Sequence, residues 1–272
     1  MPEIAEVETV RNTLKKRILH KKIVDIKIFY MPIVLNKEEE LKENLLGKEF
    51  IDIQRIGKWL LFETDMHYLL SHLRMEGKYF LKKRNEPIDK HEHIEILFED
   101  GLSMRYHDTR KFGRMKLVKK EELFEFEGIR KQGIEPLSNK LTKEYLFSKI
   151  SKKSLPIKTI LLDQTIISGL GNIYADEVLF DAKILPTKKG KDMTLEECEK
   201  IKNSSKKIIE AAIEMGGTTI RSYTSSLGVT GRFQQNLMVH KRENEKCKRC
   251  DQPIKRIKVG GRSTYYCENC QK

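Results

Sequence analysis

Two hydrophobic periods divide the chain. Between residues 3 and 19, Val7, Val10, Leu14 and Ile18 recur at three- and four-residue intervals, which predicts an amphipathic helix almost at the start. Pro2 stands at its opening, where a missing N–H costs nothing because the first amides of a helix have no partner. From about residue 22 to 118 the texture changes to short alternating runs at 23–29, 50–56, 59–63, 93–99 and 102–106, separated by turns such as Glu99-Asp100-Gly101. Several short segments of period two predict antiparallel strands, and hence a β-sandwich with the first helix packed against it. Gly133-Ile134-Glu135-Pro136-Leu137 breaks the alternation and reads as a linker. From Thr142 to about Ser222 the period is helical, the longest stretch running from Thr194 to Met215 and closing at Gly216-Gly217. The expected class is a multidomain α+β protein divided at 1–132, 133–236 and 237–272, without internal repeats.

Size and charge narrow the partners. The 272 residues leave room for two ordinary domains and a small module. An excess of 53 Lys+Arg over 40 Asp+Glu, a net +13, favours a polyanion over an acidic small molecule. Charge alone does not separate DNA, RNA and anionic lipid, and lysines also serve as plain solvated surface. The sequence holds no run of eighteen apolar residues and no basic-then-apolar leader, so a membrane span and a secretory signal are not expected and the cytosol is.

The strongest local chemistry is at the end of the chain. Cys247/Cys250 and Cys267/Cys270 form two Cys-x-x-Cys pairs with sixteen residues between them. Each pair offers two thiolates from one tight turn, and the interval suits a β-hairpin that brings the second pair round to complete a tetrahedron. Such a four-sulfur site is closed to substrate, so one structural Zn²⁺ is expected, holding together a tail too short for its own core. Two disulfides are the alternative, which spacing and a reducing compartment disfavour. Cys198 falls in a helical pattern and reads as a packed thiol. Ser168-Gly169-Leu170-Gly171-Asn172 is a glycine-rich turn feeding a helix, a place where backbone amides can cradle a phosphate or simply turn the chain.

Several stretches taken in order resemble the formamidopyrimidine-DNA glycosylase family over essentially the whole chain. They are Pro2-Glu3-Ile4-Ala5-Glu6-Val7-Glu8-Thr9, Gly57-Lys58-Trp59, His72-Leu73-Arg74-Met75, Lys90-His91-Glu92-His93, Asp108-Thr109-Arg110-Lys111-Phe112-Gly113, Leu161-Leu162-Asp163-Gln164, Gly169-Leu170-Gly171-Asn172-Ile173-Tyr174-Ala175, Gly216-Gly217-Thr218-Thr219, Phe233-Gln234-Gln235 and Gly261-Arg262-Ser263-Thr264. The family's usual opening has proline where Ala5 stands, and an aromatic is common where His240 stands. The resemblance implies a helix-two-turn-helix motif in the middle part and a bifunctional glycosylase and AP lyase that removes oxidised purines from damaged double-stranded DNA, working as a monomer. The sister family acting on oxidised pyrimidines and a zinc-dependent DNA-binding protein without catalysis are the rival readings.

The same resemblance implies roles. With Met1 removed, Pro2 would attack the sugar C1′ carbon as a secondary amine. The resulting iminium has no N–H to lose, so it acidifies the C2′ hydrogen and drives β- and then δ-elimination. Glu3 would protonate the opening sugar or departing base, Glu6 would line the site, and Lys58 would donate a proton in β-elimination. Met75, Arg110 and Phe112 would fill the gap left by a flipped nucleotide. His91, Lys153, Lys158, Asn172, Arg110 and Arg262 would hold the DNA backbone, Arg262 also serving as proton donor in δ-elimination. His91 and His93 are expected on one strand face with phosphate contact as their use, and residues 217–230 as a loop closing over the flipped base.

Overall fold

The computed structural model describes residues 1–218 and 231–272, and divides into two compact units. The first comprises Met1–Arg130 together with residues 216–218 and Gly231. The expected closing loop falls largely on residues 219–230, outside the described residues.

In the first unit, α1 (Ile4–Ile18) is followed by β1 (Ile23–Ile28), α2 (Glu38–Leu45), β2 (Asp52–Ile56), β3 (Trp59–Glu63), β4 (His67–His72), β5 (Lys78–Lys83), β6 (Glu92–Phe98), β7 (Leu102–His107), β8 (Arg114–Lys119) and α3 (Glu127–Arg130). The strands form two four-stranded antiparallel sheets, β1-β6-β7-β5 and β2-β3-β4-β8. The apolar stripe of α1 (Val7, Val10, Leu14 and Ile18) joins Phe50, Phe62, Phe98, Met104 and Tyr106 in one core. A second cluster, centred on Trp59, Leu61, Leu70 and Val118, takes in Leu123 and Ile129 from the chain after β8. With apolar neighbours on both faces, β3 buries Trp59, Leu60, Leu61 and Phe62 in succession and loses the alternation of a half-exposed strand.

Three expectations change here. Glu3 caps α1, so Pro2 lies one residue before the cap and outside the helix. The acidic segment that forms α2 contributes only Leu41 and Leu45 to the core, too few to stand out against the surrounding strand pattern. The 133–137 stretch is no free linker: Gly133 N–H donates to the Gln164 carbonyl at 2.7 Å, and Ile134 bridges Ile167.

The second unit, Lys131–Met215 and Arg232–Lys272, contains α4 (Lys143–Ile150), α5 (Ile157–Leu161), α6 (Asn172–Asp181), α7 (Leu195–Glu214), β9 (Lys255–Val259) and β10 (Arg262–Tyr266). Thr194 opens α7 with a capping box, its hydroxyl accepting from Glu197 N–H at 3.2 Å while the Glu197 carboxylate accepts from Thr194 N–H at 3.0 Å. Every residue of α6 from Ile173 to Phe180 is buried. Phe180 packs with Val239, Cys247, Ile254 and Cys267, so the cysteine module borrows part of its core from α6 and belongs with the helices.

Candidate active site

The N-terminal end of α1 gathers charge out of solvent. Glu3, Glu6 and Lys58 are 2%, 3% and 5% exposed, a burial such groups tolerate only with partners. Glu6 Oε2 accepts from Glu3 N–H at 2.8 Å, and Oε1 accepts from Thr218 N–H at 2.8 Å and Thr218 Oγ1 at 2.9 Å. The carboxylate expected only to line the site therefore staples the 216–218 segment to the first turn of α1. Burial pushes the pKa of the Met1 amine down; Glu3 and Glu6 pull it back and Lys58 lowers it further. The amine is thus surrounded by the groups the sequence nominated for chemistry.

Lys58 sits in the two-residue turn between β2 and β3. Arg55 anchors that turn, donating from Nε to Glu8 Oε2 at 2.8 Å and from Nη1 to the Gly57 carbonyl at 2.9 Å. Sequence reasoning assigned no role to Arg55 or Glu8, because nothing in spacing links a residue of α1 to one forty-seven positions later. His72, at the end of β4, is driven by burial to a pKa of about 3, with Arg74 and Lys58 adding to the effect. It stays neutral, so its Nδ1 can accept from Arg74 N–H at 3.0 Å and fix the turn that carries Met75.

Arg110 and Phe112 project from the 108–113 loop. Asp108, fully buried, accepts from Arg110 N–H at 3.0 Å and from Gly113 N–H at 2.8 Å, so one carboxylate folds the loop back on itself. A β-carbon at Gly113 would overlap the Tyr106 hydroxyl, which is why only glycine fits there. Arg110 lies 4.8 Å from the Phe112 ring centre, and that ring is 47% exposed, an aromatic held out of the core. The Thr109 hydroxyl donates to Glu76, tying this loop to the half-buried Met75 turn. All three gap-filling candidates thus sit on linked turns.

His91 and His93 do not act as a pair. A register shift between Glu92 and Ile94 interrupts the alternation on which the shared face depended. The His91 ring meets His107, with centres 5.6 Å apart, whereas His93 packs on Tyr30 and donates from Nε2 to the Asp108 carbonyl at 2.8 Å. Half-buried His91 remains a phosphate candidate, and His93 is structural.

In the second unit, the Gly260-Gly261 turn presents Arg262 to solvent at the tip of the β9-β10 hairpin. Lys153 is half-buried after α4. Lys158 departs from expectation: it is fully buried, ion-paired to Asp176, and donates to the Ser263 carbonyl at 3.3 Å. An ammonium so enclosed is not presented to a phosphate. The Asn172 side chain donates to the same Ser263 carbonyl at 2.9 Å, so its amide also supports the hairpin.

The four Sγ atoms of Cys247, Cys250, Cys267 and Cys270 lie within 4.8 Å of one another, with Cys247–Cys270 at 3.9 Å and Cys250–Cys267 at 3.4 Å. Zn–S bonds of about 2.3 Å in a tetrahedron place sulfurs about 3.8 Å apart, so the set fits one zinc with no position left for substrate. Arg249 N–H points at Cys247 Sγ at 3.4 Å, support typical of a metal thiolate. The site is a structural zinc site.

Three family models match the chain: formamidopyrimidine-DNA glycosylase N-terminal domain over residues 1–115, formamidopyrimidine-DNA glycosylase H2TH domain over 132–224, and a zinc finger found in FPG and IleRS over 244–272. Formamidopyrimidine-DNA glycosylase of Ligilactobacillus salivarius is 45% identical over 272 residues, covering 100% of this chain and 99% of its own. Among solved structures, a Lactococcus lactis FPG mutant in complex with a Fapy-dG containing DNA superposes with a TM-score of 0.95 at 41% identity, covering 100% of both chains. Lactococcus lactis Fpg with an abasic site containing DNA gives 0.94 at 41% identity, covering 99% of each.

Proposed function

The chain belongs to the formamidopyrimidine-DNA glycosylase family, and from that membership we propose that the Pro2 amine, freed by removal of Met1, is its nucleophile. The protein is a DNA glycosylase and AP lyase of base excision repair, acting on oxidised purines in damaged double-stranded DNA and carrying one structural zinc. The reading is supported by one observation: the Met1 amine, one residue ahead of Pro2, has its pKa lowered first by burial, with Glu3, Glu6 and Lys58 as its charged neighbours. The amine that removal of Met1 would leave on Pro2 would open into the same setting, where burial favours the neutral, nucleophilic form.

Attack by Pro2 on C1′ breaks the bond to the base, whose departure or ring opening Glu3 assists with a proton. The iminium then loses its C2′ proton and the 3′ phosphate leaves, with Lys58 as proton donor; δ-elimination releases the 5′ phosphate, with Arg262 as donor. Glu6 contributes by holding the 216–218 segment against α1 rather than by moving protons. Met75, Arg110 and Phe112 fill the vacated duplex position, while His91, Lys153, Asn172, Arg110 and Arg262 face the DNA backbone. Zinc, when bound, keeps the module that carries the Arg262 hairpin folded. We place the activity in the bacterial cytosol, at the nucleoid, as a monomer.

Borohydride reduction tests the nucleophile. The wild-type protein should form a covalent adduct with abasic DNA, and Pro2→Glu, whose bulky second residue keeps Met1 in place, should trap at least a hundredfold less. Undiminished trapping by that variant would take the chemistry away from Pro2 and give it to another amine, a lysine or that of the retained Met1.

A further inference from the structure

The best-sealed charge cluster of the second unit is one the reaction does not use. Asn172 and Asp176 are four residues apart and so share a face of α6. Asp176 is 1% exposed. One of its carboxylate oxygens pairs with the Lys158 ammonium from α5; the other accepts from His240 Nδ1 at 2.7 Å. The next residue, Glu177, accepts the backbone N–H groups of Met238, Val239 and His240 at 2.8, 3.0 and 2.8 Å, fixing the segment from which His240 reaches in. The His240 ring in turn meets Tyr265 of β10, with centres 5.1 Å apart.

These contacts converge on the residue after Arg262. The Ser263 carbonyl accepts from Lys158 Nζ at 3.3 Å and from Asn172 Nδ2 at 2.9 Å. Thr159, beside Lys158 on α5, lies under the hairpin tip, its Oγ1 2.7 Å from where a β-carbon at Gly260 would be. Two helices therefore grip the hairpin at its turn and at Ser263. Lys158 can hold that carbonyl as a buried ammonium only because Asp176 neutralises it; without the carboxylate, the ammonium must lose its proton or turn out toward water.

We propose that Asp176, with His240 as its second partner, is a positioning residue for Arg262: through Lys158 it fixes the Ser263 carbonyl and thereby sets where the guanidinium meets the DNA. This rests on Arg262 as the δ-elimination donor. Asp176 is sealed from solvent and belongs to the unit that does not carry the Pro2 amine, so its loss should change how the lyase reaction ends and leave its beginning alone.

The test uses zinc-replete full-length protein on abasic duplex DNA and reads three quantities: zinc per chain, borohydride trapping, and the ratio of δ- to β-elimination product. Asp176→Asn should keep zinc and trap within twofold of wild type while its δ:β ratio falls at least tenfold, and Asp176→Glu should recover part of that loss. His240→Phe, which keeps a ring against Tyr265 but donates nothing, should lower the ratio about threefold and decides the matter alone if Asp176→Asn does not fold. Arg262→Ala run in parallel separates the two failures. If it loses δ product while the zinc-replete Asp176 and His240 variants keep the wild-type ratio, the positioning role is wrong and the donor assignment stands. If Arg262→Ala itself keeps the wild-type ratio, the donor assignment falls and the positioning role with it.

Discussion

His72 shows how one buried side chain sets a pH dependence. Its pKa falls from the ordinary 6.5 to about 3 in the folded protein, with burial as the main cause. Between those values the unfolded chain binds a proton that the folded chain refuses, so stability is complete above pH 6.5 and declines as pH falls toward 3. From pH 6.5 to 5 the loss should reach about 2 kcal/mol. His72→Asn, which keeps an acceptor for Arg74 N–H without a titrating ring, should therefore lose less melting temperature between pH 7 and 5 than wild type, and equal losses would show that His72 titrates freely. At the same scale, Glu6 and Asp108 show what sequence leaves open. Both were legible as acids in meaningful stretches, but which donors each carboxylate serves depends on Thr218 and on the bend at Gly113, and neither has a spacing signature.

Among the elements, the β9-β10 hairpin separates local from tertiary cost most cleanly. Gly260 and Gly261 both have positive φ, 55° and 75°, as a two-residue turn between right-twisted strands demands. A β-carbon at Gly261 meets nothing within 4 Å, so Gly261→Ala carries only backbone strain of about 1 kcal/mol. At Gly260 the same strain is joined by the approach to Thr159. Gly260→Ala should therefore weaken binding to abasic DNA at least fivefold more than Gly261→Ala, as read by titration with labelled duplex; the reverse order would mean that α5 does not brace the tip. The two Cys-x-x-Cys pairs made this element visible in sequence, because metal ligation imposes a local spacing. Helix α2 and the bulge between Glu92 and Ile94 had no comparable mark: one is short and acidic, and the other is a ladder irregularity that depends on the partner strand.

For the molecule as a whole, the excess of basic residues becomes a prediction once buried cations are set aside. About six phosphate contacts would give a slope of log K against log salt of about −5.4. With the Lys158 ammonium sealed against Asp176, about five remain and the slope should be close to −4.5. Lys153→Met should reduce the magnitude of that slope by about 0.9, whereas an unchanged slope would take the Lys153 ammonium off the DNA backbone. The α+β class, the zinc module and the nominated groups around the amine were legible because each depends on a repeated local pattern or an ordered set of stretches. The allegiance of 216–218 to the first unit was not, since it rests on contacts between Glu6 and Thr218 across 212 residues. Those contacts also impose an order on synthesis. As a nascent chain emerges, its first helix and amine precede Thr218 by most of the polypeptide, so an aminopeptidase can reach Met1 while that end is still open. The ribosome thus delivers Thr218 only after Glu6, its partner on the first turn of the opening helix, has long been made, and a fragment stalled before residue 218 would leave that carboxylate without these two donors.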